Sequence, residues 1–141
     1  MESLKTLVLG CVSVRLVVSG EPPLSLHMRL QYEATDPYVV RAAFTLADGD
    51  EAVEWNLGRD LLAEGLIGPA GEADVRMWPA RRPGRSVLYL ALGSPEHAAL
   101  LELPAQDMRT FLQATETVVP QGTESGHIDW DTELARLCAE S

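Results

Sequence analysis

Basic side chains are scarce: 11 Lys and Arg stand against 21 Asp and Glu in 141 residues, a formal net charge of −10. Binding a nucleic-acid backbone needs clustered cations in excess, so phosphate neutralisation is disfavoured. Acidic self-repulsion favours solubility instead. Aromatic residues make up only 6%, few for the stacking platforms that hold single strands. Cysteine is nearly missing. Cys11 and Cys138 lie at opposite ends, with no secretory signal before them and no histidine at metal-ligand spacing. Both are expected to be reduced thiols, core or half-buried, in a cytoplasmic chain, with no disulfide between them. No apolar run approaches the roughly 20 residues of a membrane helix, so any membrane link has to come through a partner.

Catalytic patterns are missing as well. His27, His97 and His127 are far apart and belong to no H-x-H, H-E-x-x-H or C-x-x-C pattern, which gives a metal no ligand set. His27 falls on the polar side of an alternating stretch and reads as a solvated histidine. There is no G-x-S-x-G elbow. Gly65, Gly68 and Gly71 superficially resemble a phosphate-binding run, but such a loop follows a strand and opens a helix, whereas this one follows a helix and opens a strand. No catalytic, cofactor or metal residue is therefore expected, and the chain reads as a non-enzyme.

What the sequence does carry is alternation. Leu24, Leu26, Met28, Leu30 and Tyr32 interleave with Ser25, His27, Arg29, Gln31 and Glu33, the period of a strand with one buried face. Val12, Val14, Leu16 and Val18 repeat the pattern, with Glu21-Pro22-Pro23 as the turn between. Val40, Ala42, Phe44 and Leu46 make a third strand ending at a tight Asp48-Gly49-Asp50 turn. Val53, Trp55 and Leu57 form the apolar face of a fourth. Arg59 to Glu64 suits a short helix that buries Leu61 and Leu62 together, with Gly65 as a left-handed cap. After the turn Gly68-Pro69-Ala70-Gly71, strands are expected at about 73–80, 86–92 and 98–103. Ser86 to Leu92 is apolar on both faces and should be covered on both. Pro104 opens a helix with Met108, Phe111, Leu112 and Thr115 on one face, ending by Pro120. A terminal helix from about Asp129 carries Trp130, Leu134, Leu137 and Cys138 on one stripe. The order is strands, a short helix, strands, then two helices: one α+β domain over residues 1–141 rather than a parallel βαβ fold.

Candidate contact residues emerge from the same patterns. Asp60 and Glu64 lie one helical turn apart; with no burial cue they form a solvated face rather than an acid–base pair, and that face is a candidate partner surface. Trp78 shares the polar side of its strand with Asp74 and Arg76, which makes it a candidate interface residue. Arg76, Arg81, Arg82 and Arg85 surround one strand end and its hairpin turn. That basic patch is either a solvated edge loop, the reading favoured here, or a docking site for an acidic protein segment or, behind that, a nucleic-acid backbone.

Longer motifs carry a resemblance. Val53-Glu-Trp-Asn-Leu-Gly-Arg-Asp-Leu-Leu to Val75-Arg-Met-Trp-Pro79, together with Asp36-Pro37-Tyr38-Val39-Val40-Arg41, Ser94-Pro95, Ala98 to Pro104, Val119-Pro120 and Gly122-Thr123-Glu124, resembles the SsgA-like sporulation and cell division proteins of actinomycetes. Arg15 to Ser19 and Leu134 to Ser141 are most similar to the SsgB subgroup, while Asn56-Leu57-Gly58 departs from the bulkier apolar run of the family. The resemblance implies a non-enzymatic protein that recruits the tubulin-like division protein FtsZ to sporulation septa, directly or within a membrane-associated complex. It also implies a twisted antiparallel or barrel-like sheet with helices packed at one side, similar to the whirly fold, and a homotrimer. Whirly-like folds elsewhere bind single-stranded nucleic acid, which is the alternative reading that the charge opposes.

Overall fold

The computed structural model describes residues 7–46, 49, 51–127 and 134. The alternating stretches become β1 (Leu7–Val17), β2 (Leu24–Glu33), β3 (Val39–Leu46) and β4 (Ala52–Gly58), a four-stranded antiparallel meander. Helix α1 (Arg59–Gly65) starts directly from β4. A second meander follows, built of β5 (Ala70–Glu72), β6 (Val75–Arg82), β7 (Arg85–Leu92) and β8 (Ala99–Pro104), and it leads into α2 (Ala105–Val118). A short 3-10 turn spans Glu124–His127.

The strand order β4-β3-β2-β1-β8-β7-β6-β5 joins the two meanders at β1 and β8. That seam is short: Arg15 pairs with Glu102, Leu16 with Leu101 and Val17 with Leu100, whereas β1 and β2 pair continuously from Leu7↔Glu33 to Leu16↔Leu24. The sheet curls into an antiparallel half-barrel, and both helices pack inside it. Val14, Met28, Leu30, Tyr32, Leu57, Leu90 and Leu103 on the inner face are almost wholly buried. Each such side chain contributes about 1.5–3 kcal/mol of transfer free energy relative to full exposure. Helix α2 seats Met108, Phe111, Leu112 and Thr115 in the hollow, the face its spacing predicts. Its approach to β1 depends on Gly10, where a Cβ would stand 2.7 Å from Phe111 Cδ1. As expected, β7 is buried on both sides, with Leu88, Leu90 and Leu92 inward and Val87 and Ala91 outward.

Several details differ from the sequence expectations. Gly65 is not a left-handed cap: it is the last helical residue, Leu66 caps in the right-handed region, and a Cβ on Gly65 would meet Met77 Cγ at 2.6 Å. Its glycine serves close packing on β6. The strand expected from 73 starts at Val75, because Ala73 (φ 62°) and Asp74 turn the β5–β6 hairpin; Ala-Asp lacks the usual Asn-Gly or Asp-Gly signal. Pro104 closes β8 and the helix begins one residue later. Leu62 is fully buried but Leu61 only half-buried. Cys11 is exposed on the outer face rather than core or half-buried. The terminal helix expected from Asp129, and with it Cys138, lies outside the described residues except for Leu134, which is helical and exposed.

Candidate functional site

Strand parity decides which of the candidate residues can act together. In β6, Met77 turns inward onto α1, so Arg76, Trp78, Ala80 and Arg82 face out, while Arg81 belongs to the inward set with Pro79. Trp78 is half-buried and stacks on Tyr89, with ring centroids 5.9 Å apart and planes inclined by 28°. It is a packed aromatic, not a free one. Arg76 lies six positions along β6 from Arg82, about 20 Å at strand rise, so it does not join the arginines at the hairpin tip. Its Nε is buried without a hydrogen-bond partner among the described residues.

At the tip, Arg82 and Arg85 converge on a residue that no local pattern singles out. Glu102 of β8 is 4% exposed; its Oε1 lies 3.5 Å from Arg82 Nη2 and its Oε2 lies 3.6 Å from Arg85 Nη2. The hydrogen bond to Glu102 and the neighbouring Tyr89 oxygen hold the Arg82 guanidinium still more firmly in its charged form. The β1–β8 register places Arg15 directly opposite Glu102 on the same outer face. Only the long-range seam brings it there.

Asp60 and Glu64 are exposed on α1, as expected. Because α1 packs on the Met77 side of β6, these carboxylates and Trp78 lie on opposite sides of that strand. The residue beside them is the unforeseen one. Arg59 is 3% exposed: Nη1 donates to Val119 O at 2.7 Å and, at 3.4 Å each, to Thr115 O and Oγ1, while Nη2 donates to Glu124 Oε2 at 2.7 Å. Its Cζ sits 5.1 Å from the centroid of the Tyr32 ring. Glu124 accepts a further hydrogen bond from Gly122 N–H at 2.9 Å. The Arg59 hydrogen bond is the main cause that holds the Glu124 carboxyl below the usual range. Burial is the main cause that pushes the Tyr32 hydroxyl up to about 12, and that hydroxyl donates to Pro37 O at 2.9 Å. These groups are saturated by one another. The cluster is a structural clamp between α1 and the segment after α2.

The inner face has a second region, where the helices do not reach. Leu57 is fully buried, Trp55 half-buried and Val53 61% exposed, so the β4 apolar face emerges into solvent along its length. With Leu16, Leu24, Leu26, Phe44, Leu46, Leu92 and Leu101 it lines an open apolar mouth of about 490 Å³. Among the described residues no group of three His, Cys, Asp or Glu is placed to hold a metal ion, and no helix is long and apolar enough to cross a membrane.

Residues 26–124 match the family described as Streptomyces sporulation and cell division protein, SsgA. The chain belongs to the SsgA family. The sporulation-specific cell division protein SsgB of Streptomyces coelicolor is 50% identical over 128 residues, covering 91% of this chain and 93% of that protein. SsgB of Frankia casuarinae is 42% identical over 126 residues, covering 89% and 87%. Among solved structures, an SsgA-like sporulation-specific cell division protein from Thermobifida fusca superposes with a TM-score of 0.86 at 40% identity, covering 96% of this chain and 98% of that one. A structure from work on SsgB mutations that correlate to longitudinal cell division during sporulation of Streptomyces coelicolor gives 0.81 at 48% identity, covering 87% and 96%. The half-barrel of this SsgA-family chain is thus the fold its relatives share, and a role in cell division is what their names support.

Proposed function

We propose that this chain is a non-enzymatic partner-binding protein that positions or recruits FtsZ during sporulation-specific septation. The observation that carries the reading is the apolar mouth. Leu24, Leu46 and Val53 are 47%, 48% and 61% exposed around one opening, and contiguous exposed apolar surface on a small protein marks a protein contact. The described titratable groups at the Arg59 clamp are internally paired, which leaves surface recognition as the activity the geometry favours. In this reading Asp60 and Glu64 supply a charged contact, and self-association as a homotrimer arranges several copies of the surface. Trp78, Arg76 and Arg81 are proposed as lesser contacts, since they are divided between two faces of β6.

Co-sedimentation with assembled FtsZ tests this. The purified chain should pellet with the polymer, and Val53→Asp should abolish pelleting while melting stays close to wild type, because Val53 is largely exposed. Pelleting of the Val53→Asp protein at the wild-type level would remove the mouth from the FtsZ contact. No pelleting of the wild-type chain at any salt concentration would sink direct recruitment.

A further inference from the structure

We infer that the outer-face groove beside the β1–β8 seam binds an extended acidic segment of a partner protein, with Arg15, Arg82 and Arg85 as its cationic contacts. The groove encloses about 290 Å³ between β1–β2 and β7–β8, lined by Ser13, Arg15, Ser25, His27, Arg85 and Glu102 among others. It lies on the opposite face of the sheet from the apolar mouth, so the inference goes beyond FtsZ recruitment and does not rest on it.

Charge complementarity selects the occupant. Two guanidiniums, their side chains 48% and 55% exposed, share a single buried carboxylate at 3.5 and 3.6 Å. Those separations are long for charge-assisted hydrogen bonds, which close to about 2.7–2.9 Å. Each guanidinium has five N–H donors, and with about half of each side chain exposed donors remain for a ligand. Arg15 adds a third: it is exposed, stands opposite Glu102 in register and has no ion pair among the described residues. Ser13 and His27, paired across β1 and β2, supply further polar groups at the groove's other wall. The site therefore has an excess of donors over acceptors on a chain whose formal charge is −10.

That overall charge also separates two classes of anion. Repulsion at a distance grows with the charge of the approaching ligand, so a nucleic-acid strand is opposed more strongly than a short segment carrying a few carboxylates. The nearby aromatics, Trp78 and Tyr89, are stacked on each other rather than presented as platforms for bases. Carboxylates spaced along an extended peptide fall on one side of it and match cations arrayed over adjacent strands.

The test uses fluorescence anisotropy of the full chain at low ionic strength with a labelled peptide of alternating glutamate and serine, and a glutamine–serine peptide as the neutral control. The acidic peptide should bind and the neutral one should not. Arg15→Glu, a change at an exposed position, should weaken binding about tenfold. Glu102→Gln removes the competing internal carboxylate and should tighten it severalfold, a direction that general damage to the fold would not produce. Thermal melting checks both variants, and Arg85→Ala should weaken binding if either one fails to fold. Equal binding of the two peptides, no binding by the wild-type chain, or affinities unmoved in the folded variants would overturn the inference. So would a labelled single-stranded oligothymidine that binds more tightly than the acidic peptide and shows the same sensitivity to the variants.

Discussion

Replacing Arg59 by methionine isolates the buried clamp. Methionine keeps much of the length of the side chain but removes the guanidinium, so Val119 O loses its 2.7 Å donor, Glu124 loses its cation and the Tyr32 ring loses the charge above it. Breaking a buried pair by deleting one partner costs about 3–5 kcal/mol, chiefly because the other charge is stranded. For a chain of this size each kcal/mol moves the melting temperature by about 3–4 °C, so Arg59→Met should melt about 10 °C or more below wild type by calorimetry. Adding Glu124→Gln should restore a good part of the loss, because a neutral amide can remain buried and still accept from Gly122 N–H. Arg59→Lys should not restore it, since one ammonium lacks the fork that reaches Val119 and Glu124 together. The pH dependence has a defined sign. The Glu124 carboxyl is held below its ordinary value of 4.5, so its contribution is present above that value and is lost as pH falls through the lowered folded one. The gap in melting temperature between wild type and Arg59→Met should therefore narrow on acidification. A single variant that melts within 2 °C of wild type by this roughly 3–4 °C scale, or a double variant lower still, would refute the reasoning.

Leu62→Ala should cost about 2–5 kcal/mol in denaturant unfolding and Leu61→Ala distinctly less, since only Leu62 is fully buried. Gly65→Ala should destabilise by about 1–3 kcal/mol in the same unfolding measurement despite alanine's better helix propensity, because the new methyl meets Met77 Cγ and Cβ. Charge reversal at Asp60 or Glu64 should leave thermal melting nearly unchanged and lower FtsZ co-sedimentation, whereas Trp78→Ala should itself lower stability by about 1 kcal/mol or more through loss of the Tyr89 stack. Cys11 should react with a maleimide in native buffer at a rate close to that of the unfolded chain, as mass spectrometry over time would show.

The strands were legible because alternation needs no knowledge of partners: β2 and β3 follow from where their apolar residues fall, and the α2 face follows from helical spacing in the same way. What was not legible depends on long-range pairing. Arg59 reads as an ordinary helix-start arginine, yet its partners Thr115, Val119 and Glu124 lie 56, 60 and 65 positions away. One signal was available: Arg59 continues the inward set Trp55–Leu57 of β4, so parity placed a charge in the core and called for an anion there. Arg15 offered no such signal, since nothing local announces that β1 will meet Glu102. The arginine patch was half legible. Its hairpin tip was evident from Pro83-Gly84, but the division of Arg81 from Arg82, and of Arg76 from both, needed the exact strand register.

The narrow seam between β1 and β8 sets an order on how the chain assembles. The first meander is complete at Gly58 and closes only short loops, each with a small entropic cost. It can gather while the rest of the chain is still being synthesised. The second meander is equally local, but joining the two requires Arg15 to find Glu102 across almost the whole of the rest of the sheet, and contacts of such sequence separation are slow to form. Until they do, β1 is an edge whose backbone donors and acceptors on the side away from β2 are unclaimed, the kind of strand that pairs with a neighbouring chain. The acidic character of the chain then acts in time as well as at equilibrium, holding half-built molecules apart until β8 arrives.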